Sequence, residues 1–140
     1  MAPAVRELEC QFALESVQRR ALVVDEDARD LAYHAALLEA QGFDVIRCRF
    51  YADAVRFIER ELFDLVVVAQ GTAAFEGRIV MNFLQRFMPY TPCVVLASRV
   101  DNRCHSEALE LGATEYLPKP LSRQSVGYLL HKLFGVHAQT

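Results

Sequence analysis

Three consecutive acidic residues are the part of this sequence best suited to chemistry. Asp25, Glu26 and Asp27 follow directly on a short apolar run, and two other apolar runs end at Ala69 and Ala97. If the three runs are parallel strands of one sheet, their carboxyl ends meet at the edge where open α/β sheets place their sites. Clustered carboxylates repel one another, whereas an alanine methyl group has no lone pair with which to attack a substrate. The sequence therefore predicts an acidic pocket bordered by inert side chains.

The sheet that must position this pocket is built around the run from Phe63 to Gly71. Five consecutive apolar residues in this run, three of them valine, predict a strand buried on both faces, and such a strand lies in the middle of a sheet. Strand and helix patterns alternate along the chain with short connections, which favours a parallel sheet covered by helices on both faces. The other predicted strands cover residues 21–24, 43–48, 93–97 and 115–117.

The helices between these strands carry recognisable ends. Their predicted N-caps are Asp27, Asp101 or Asn102, and Ser122, and their predicted stops are Gly42, Gly112 and Gly135. In the helix that begins at Gly77, one stripe carries Ile79, Phe83 and Phe87, and we expect this stripe to be its apolar face. We interpret His34 as a packed helix residue, because no second metal ligand lies at helical spacing from it.

Composition indicates a single domain. Hydrophobic residues make up 53% of the 140 residues, which is enough for a core without disulfide bonds. We expect this domain over residues 19–136, with an N-terminal extension over 1–18 that could form a short amphipathic helix and a tail over 137–140.

Charge and hydropathy exclude several classes of protein. The net charge is −3 and basic residues do not cluster, which argues against a nucleic acid partner. No apolar run approaches ~18 residues, and Glu7 and Glu9 stand where a signal peptide needs apolar residues, so neither a membrane span nor export is indicated. The four cysteines show no metal-ligand spacing. We therefore expect a cytoplasmic protein with reduced thiols.

Two motifs resemble those of response regulator receiver domains. Residues 22–27, Leu-Val-Val-Asp-Glu-Asp, are similar to the acidic motif after the family's first strand. Residues 112–120 are similar to its Gly-Ala-x-x-Tyr-x-x-Lys-Pro motif, and the spacing of all five strands fits over residues 20–136. The resemblance implies the flavodoxin-like (βα)5 fold, a doubly wound parallel sheet with strand order 2-1-3-4-5.

The resemblance also implies a role for each matching residue. Receiver domains accept a phosphoryl group on an aspartate at the end of the third strand, with the help of Mg²⁺ held by acidic residues after the first strand. Asp25 and Glu26 match the acidic pair, Lys119 matches the phosphate-binding lysine, and Tyr116 matches the aromatic residue whose rotation accompanies activation. The resemblance further implies that the Lys119-Pro120 bond is cis, which would direct the lysine into the site.

Two positions depart from the family pattern. The family has a glycine eight residues after its acceptor, and Gly77 in that register places the acceptor at Ala69. The threonine or serine that contacts the phosphoryl group in the family is replaced by Ala97. A methyl group cannot accept a phosphoryl group, so the resemblance implies a degenerate receiver, or pseudo-receiver, and not an enzyme.

The same losses change what the remaining pocket can do. With one of three protein ligands gone, Mg²⁺ should bind weakly or not at all through Asp25 and Glu26, and we expect no other cofactor. Lys119 is then expected to pair directly with Asp25 or Glu26. The domain should rest in one conformation whatever the phosphodonor.

Contact with another protein is the function that this sequence favours. The resemblance places the contact surface on the fourth helix, fifth strand and last helix, where a protein partner, an output domain or a second copy could bind. The best contact candidates there are Leu109, Tyr128, Arg103 and Arg123.

Two alternatives stay open at this stage. The first is phosphoryl transfer to a surrogate residue, for which the candidates are Asp25, Asp27, Thr72 and Ser98. The second is small-molecule sensing in the former phosphorylation crevice, where Ala69 and Ala97 would widen the space.

Overall fold

The computed structural model describes residues 18–135, in which five strands alternate with five helices. The strands are β1 (Arg20–Val24), β2 (Asp44–Cys48), β3 (Leu65–Ala69), β4 (Cys93–Ala97) and β5 (Glu115–Pro118). The helices are α1 (Ala28–Glu39), α2 (Tyr51–Arg60), α3 (Arg78–Phe87), α4 (Asn102–Glu110) and α5 (Arg123–Phe134). Apart from Gln18, the predicted extension lies outside the described residues, as does the tail over 137–140.

The strands form one parallel sheet in the order β2-β1-β3-β4-β5, so the predicted flavodoxin-like fold is confirmed. In the register of the central strands, Val24 lies beside Val68, and Ala69 lies beside Leu96. On the far side of β4, Ala97 lies beside Pro118. The carboxyl ends of β1, β3, β4 and β5 are therefore level, and the residues that follow them meet at one edge.

Alternating side chains divide the core into two layers. In β1, Leu22 and Val24 face a cluster that includes residues of α2, α3 and α4, whereas Ala21 and Val23 face a cluster built with α1 and α5. The same alternation holds in β3 and β4, which are buried along their whole length. This two-sided burial explains why the strands read as continuous apolar runs.

The predicted apolar face of α3 is wrong for Ile79 and Phe87, and of that stripe only Phe83 packs against the core. The buried residues of this helix are Val80, Met81 and Leu84, whereas Ile79 and Phe87 are exposed. Two apolar stripes lie side by side on this helix, and sequence periodicity alone does not decide between them. In the observed orientation the stripe with Ile79 and Phe87 lies outward, and Arg78 forms a bidentate ion pair with Glu107 of α4.

The predicted helix N-caps are confirmed. The side chain of Asp27 accepts hydrogen bonds from two backbone N–H groups of α1, and Asp101 and Ser122 do the same for α4 and α5 with one each. Gly135 ends α5 with φ of 67°, a left-handed conformation that favours glycine. These caps set where each helix begins, and thereby which residues of the preceding loops border the sheet edge.

Candidate functional site

The acidic pocket begins where β1 ends. Asp25 is 5% exposed, and its backbone N–H donates to Cys48 O at 3.0 Å, which continues the pairing of β1 with β2. Its Oδ1 accepts from the backbone N–H of Asp27 at 3.0 Å, in a turn that leads into α1. Both the strand pairing and this turn hold the Asp25 carboxylate in the pocket.

Lys119 reaches the same pocket from the end of β5. Its Nζ lies 2.6 Å from Asp25 Oδ2 and 2.9 Å from Asp30 Oδ2, and its side chain is 10% exposed. Burial alone would lower the pKa of Lys119, but hydrogen bonds and charge attraction from the two carboxylates outweigh it, and the pKa lies above its ordinary value. The predicted pairing of Lys119 with Asp25 is confirmed.

Asp30 is a member of this cluster that the sequence analysis missed. It lies in the first turn of α1, three residues after the Asp27 cap, and it faces Lys119 across the pocket. A carboxylate in the first helical turn is expected on helix-dipole grounds alone, so nothing in the pattern singled Asp30 out. Its partner becomes visible only when α1 is packed beside the β5–α5 loop.

Two neighbouring residues of α1 hold the loop that carries Lys119. The hydroxyl of Tyr33 donates to Leu121 O at 2.7 Å, and the backbone N–H of Leu121 donates to Nε2 of His34 at 3.1 Å. The other ring nitrogen of His34, Nδ1, donates to Asp30 O at 2.9 Å. The interpretation of His34 as a packed helix residue is confirmed, and its two bonds also tie α1 to this loop. The Lys119-Pro120 bond is cis, as the resemblance implied.

The protonation state of His34 follows from these bonds. An imidazole that accepts at Nε2 and donates at Nδ1 is neutral. Burial is the main cause that lowers the pKa of His34. The positive charge of Lys119 lowers this pKa further, whereas the negative charges of Asp25 and Asp30 raise it. A neutral imidazole is therefore the form that the fold favours.

At the end of β3, Ala69, which the resemblance aligns with the family's acceptor, presents a methyl group. The backbone carbonyl of Ala69 accepts a hydrogen bond from the Tyr51 hydroxyl at 3.1 Å. Gly77 approaches the same carbonyl so closely that a Cβ at this position would lie 2.4 Å from Ala69 O. The β3–α3 loop is thus folded tightly against the strand end, and it needs glycine at residue 77.

Tyr116 is buried beside the pocket and is held by a chain of hydrogen bonds. Its hydroxyl makes a short bond to Gln70 Oε1, and the backbone N–H of Asp101 donates to that hydroxyl at 3.1 Å. Nε2 of Gln70 in turn donates to Thr72 O at 3.2 Å. This chain joins α4, β5 and the β3–α3 loop, and it holds Tyr116 inside with 7% exposure. The role of Gln70 as the hydrogen-bond partner of Tyr116 was not predicted from the sequence.

The space beside Ala97 is occupied. Ala97 is fully buried and belongs to one packed cluster with Phe75, Cys104 and Tyr116. Phe75 has φ of 58°, a left-handed conformation that is rare for a bulky residue, and its ring is nevertheless buried. Ala97 is fully buried and Ala69 is 4% exposed, so neither methyl group lines an open crevice.

The remaining carboxylates do not converge with Asp25. Glu26 is exposed, and Asp27 is engaged as the cap of α1, where bonds from the backbone N–H groups of Asp30 and Arg29 lower its pKa. Both oxygens of Asp25 already have partners, in Lys119 and the Asp27 N–H. Within residues 18–135 no group of three histidine, cysteine or acidic residues is arranged to hold a metal ion. The donor set therefore fits Mg²⁺ poorly.

The predicted contact residues lie on the surface around β5. Leu109 on α4 and Tyr128 on α5 are 51% and 62% exposed, and Arg103 and Arg123 are exposed at the beginning of the same helices. No helix of the described residues is long and apolar enough to cross a membrane.

Comparison with known proteins gives consistent matches. The sequence model of the response regulator receiver domain matches residues 21–130. The transcriptional regulatory protein ZraR of Salmonella typhimurium is 29% identical over 119 residues, which cover 85% of this chain and 27% of that protein. The sensor protein GacS of Pseudomonas syringae is 27% identical over 128 residues, or 88% of this chain and 14% of that protein. The chain thus spans about a quarter or less of the length of these relatives.

Solved structures show the same fold. A CheY-like receiver domain from Methanospirillum hungatei superposes with a TM-score of 0.76 at 22% sequence identity, over 83% of this chain and 94% of that chain. A receiver domain from Clostridium thermocellum superposes with a TM-score of 0.74 at 23% identity, over 84% of this chain and 94% of that chain.

Proposed function

We propose that this chain, which belongs to the response regulator receiver domain family, acts by binding another protein and is not phosphorylated. The observation that carries the proposal is the alanine at the end of β3. Phosphoryl transfer to a receiver requires a carboxylate nucleophile, and Ala69 offers only a methyl group there. On this proposal the chain is not an enzyme, has no cofactor and binds Mg²⁺ weakly at most.

The charge state of the pocket supports this proposal. Lys119 is already paired with Asp25 and Asp30, two carboxylates within hydrogen-bond distance. A phosphoryl group would have to compete with both for the same ammonium group, and no nucleophile holds it in place. The ammonium group that would bind a phosphoryl group is thus already occupied.

The position of Tyr116 supports a single resting conformation. Its hydroxyl bonds Gln70 and Asp101 inside the protein, and His105 stacks on its ring with centroids 4.7 Å apart. Moving the ring outward would leave the buried Gln70 without this partner, which costs about 1–3 kcal/mol. We infer that β5 and α4 present one fixed surface to a partner.

That surface includes the exposed side chains of Leu109, Tyr128, Arg103 and Arg123. Apolar and aromatic residues beside arginines are typical of contact sites between proteins. The occupant that we propose is a cytoplasmic signalling protein, an output domain or a second copy of this chain. We do not expect a nucleic acid there, because the net charge of the protein is negative.

Intact mass measured after incubation with acetyl phosphate tests the proposal directly. The native chain should show no phosphoryl adduct, and its ¹H–¹⁵N spectrum should not shift at Ala69, Ala97 or Tyr116 when Mg²⁺ and beryllofluoride are added. Ala69→Asp is the matched variant, because it restores a carboxylate at the same strand end. An adduct on the native chain, located by peptide mapping, would overturn the proposal.

Peptide mapping also separates the surrogate residues. Asp25 is bound by Lys119, and the Thr72 hydroxyl donates to the Glu76 carboxylate, so neither is free to attack a phosphodonor. Asp27 is held as a helix cap. An adduct on any of these residues or on Ser98 would identify a working phosphorylation site and would favour that alternative.

A further inference from the structure

A cavity of about 440 Å³ lies on the opposite edge of the sheet from Lys119, between β2 and α2. We call it the arginine groove. Its walls are formed by the end of β2 and by one side of α2, and their charged residues are Arg47, Arg49, Asp53, Arg56, Arg60 and Glu61. Its volume is within the range of small-molecule sites in proteins, which is about 300–1,000 Å³.

Four arginines line this groove in a protein whose net charge is −3. One of them, Arg47, is paired with Glu39 at 2.6 Å, outside the groove wall. The acidic residue Glu61 is likewise occupied, because Arg20 Nη2 lies 2.7 Å from it. These two pairs remove one positive and one negative charge from the groove.

After these pairs are set aside, the groove still has three positive charges, on arginines, and one negative charge, on Asp53. Arg49 Nη2 donates to the backbone carbonyl of Glu26 at 3.2 Å, which positions its guanidinium without neutralising it. Arg56 and Arg60, one helical turn apart on α2, have no ion-pair partner within residues 18–135. The groove is therefore a site of excess positive charge.

Aromatic surface lies beside these charges. Phe50 is 58% exposed although it is a large apolar residue, and Phe57 is half-buried in the same wall. The Arg49 guanidinium lies 5.9 Å from the centroid of the Phe50 ring. Phe50 also occupies the N-cap position of α2, where its side chain accepts no hydrogen bond from the helix. The exposed face of the ring is therefore available for contact.

We propose that the arginine groove binds a nucleoside phosphate. The planar, permanently charged guanidinium forms paired hydrogen bonds with phosphate oxygens, and Arg56 and Arg60 are the groups free to do so. The exposed Phe50 ring offers an apolar face for the base. The proposal does not depend on whether the domain is phosphorylated.

Titration of the ¹⁵N-labelled full chain with adenosine diphosphate tests this site. The amide signals of residues 47–61 should shift saturably, and those around Lys119 should stay in place. Inorganic phosphate and adenosine are the two part-ligands, and each should bind at least about tenfold more weakly than the diphosphate. No saturable shift at millimolar adenosine diphosphate, or shifts centred on Lys119, would overturn the proposal.

The double variant Arg56→Gln/Arg60→Gln should weaken binding by at least about tenfold, because it removes two charge-assisted contacts. Its matched control is Arg29→Gln/Arg86→Gln, which removes two exposed arginines outside the groove and should leave the affinity unchanged. Phe50→Ala is the second test, since removing an exposed ring spares the core. It should weaken the binding of adenosine diphosphate and leave the binding of inorganic phosphate unchanged. Equal affinities across all variants would mean that the nucleotide binds elsewhere or only through general charge.

Discussion

Two regions of this molecule use their charges in opposite ways. At the carboxyl edge of β1, β3 and β5, the Lys119 ammonium group is buried between Asp25 and Asp30 and fully engaged. In the arginine groove, Arg56 and Arg60 stand exposed without an ion-pair partner in the described residues. The ion pairs of Lys119 stabilise the fold, whereas the guanidinium groups of Arg56 and Arg60 remain available for a ligand. The difference shows that the charge of Lys119 is used within the fold, whereas the charges of Arg56 and Arg60 are not.

The largest expected effect follows from removing Lys119. Lys119→Met would leave the buried Asp25 carboxylate without the cation that balances it, which costs about 3–5 kcal/mol of unfolding free energy when one partner of a buried pair is lost. Urea denaturation of the native chain and the variant measures this difference.

Lys132→Met is the matched control for that experiment. Lys132 pairs with Glu115 at the surface, where solvent screens the two charges, so the loss of this pair should change stability far less. If the two variants lost equal stability, the buried Lys119 cluster would not stabilise the fold more than a surface ion pair does.

Tyr116→Phe tests the hydrogen-bond chain beside the pocket. The variant keeps the ring but leaves Gln70 Oε1 without the hydroxyl that donates to it, so we expect a loss of about 1–3 kcal/mol in the free energy of unfolding. Tyr128→Phe removes a hydroxyl from an exposed tyrosine and should change stability by less than about 0.5 kcal/mol. Equal effects would mean that solvent replaces the lost bond to Gln70.

The next expected effect is a pH dependence of stability that comes from His34, which holds the β5–α5 loop. The pKa of His34 is lowered in the folded protein, mainly by burial, so the unfolded chain binds the proton more readily. The contribution of His34 is therefore fully present above the ordinary histidine pKa of about 6.5, and it is lost as the pH falls from there through the lower folded pKa.

The measurement is the free energy of unfolding between about pH 7.5 and 5.5, a window that covers the ordinary histidine pKa. The native chain should lose stability toward the lower pH, and His34→Gln should be less stable at high pH but lose less on acidification. The charged groups that act on the imidazole are Lys119, Asp25 and Asp30. A slope that survives the substitution would assign the pH dependence to another group.

Much of the fold could be predicted from the sequence, because its signals are local. Strands buried on both faces give continuous apolar runs, and helix ends carry caps such as Asp27 and Ser122. The face of α3 was not predictable in this way, since two apolar stripes lie next to each other. Its orientation depends on contacts with neighbouring elements, such as the pair of Arg78 with Glu107.

The site was predictable in part for the same reason. The pairing of Lys119 with Asp25 followed from the places that the family resemblance gives these two residues in one pocket. Asp30 was missed because its distance from Lys119 depends on how α1 packs. Gln70 did leave a signal, since it continues a fully buried strand and a buried amide requires hydrogen-bond partners. The arginine groove left none, because its arginines come from a strand and a helix whose contact only the fold reveals.

The smallest expected effect belongs to the groove itself, and it separates binding from stability. Arg56→Gln/Arg60→Gln should change the free energy of unfolding by no more than about 0.5 kcal/mol, because exposed side chains without partners contribute little. Arg20→Gln offers the contrast, since Arg20 pairs with Glu61 and lies over the Phe63 ring at 5.2 Å, and its loss should cost about 1 kcal/mol. If the double variant were destabilised more than Arg20→Gln, its arginines would be holding β2 and α2 together. The groove would then resemble the Lys119 cluster, with charges used for structure and none left for a ligand.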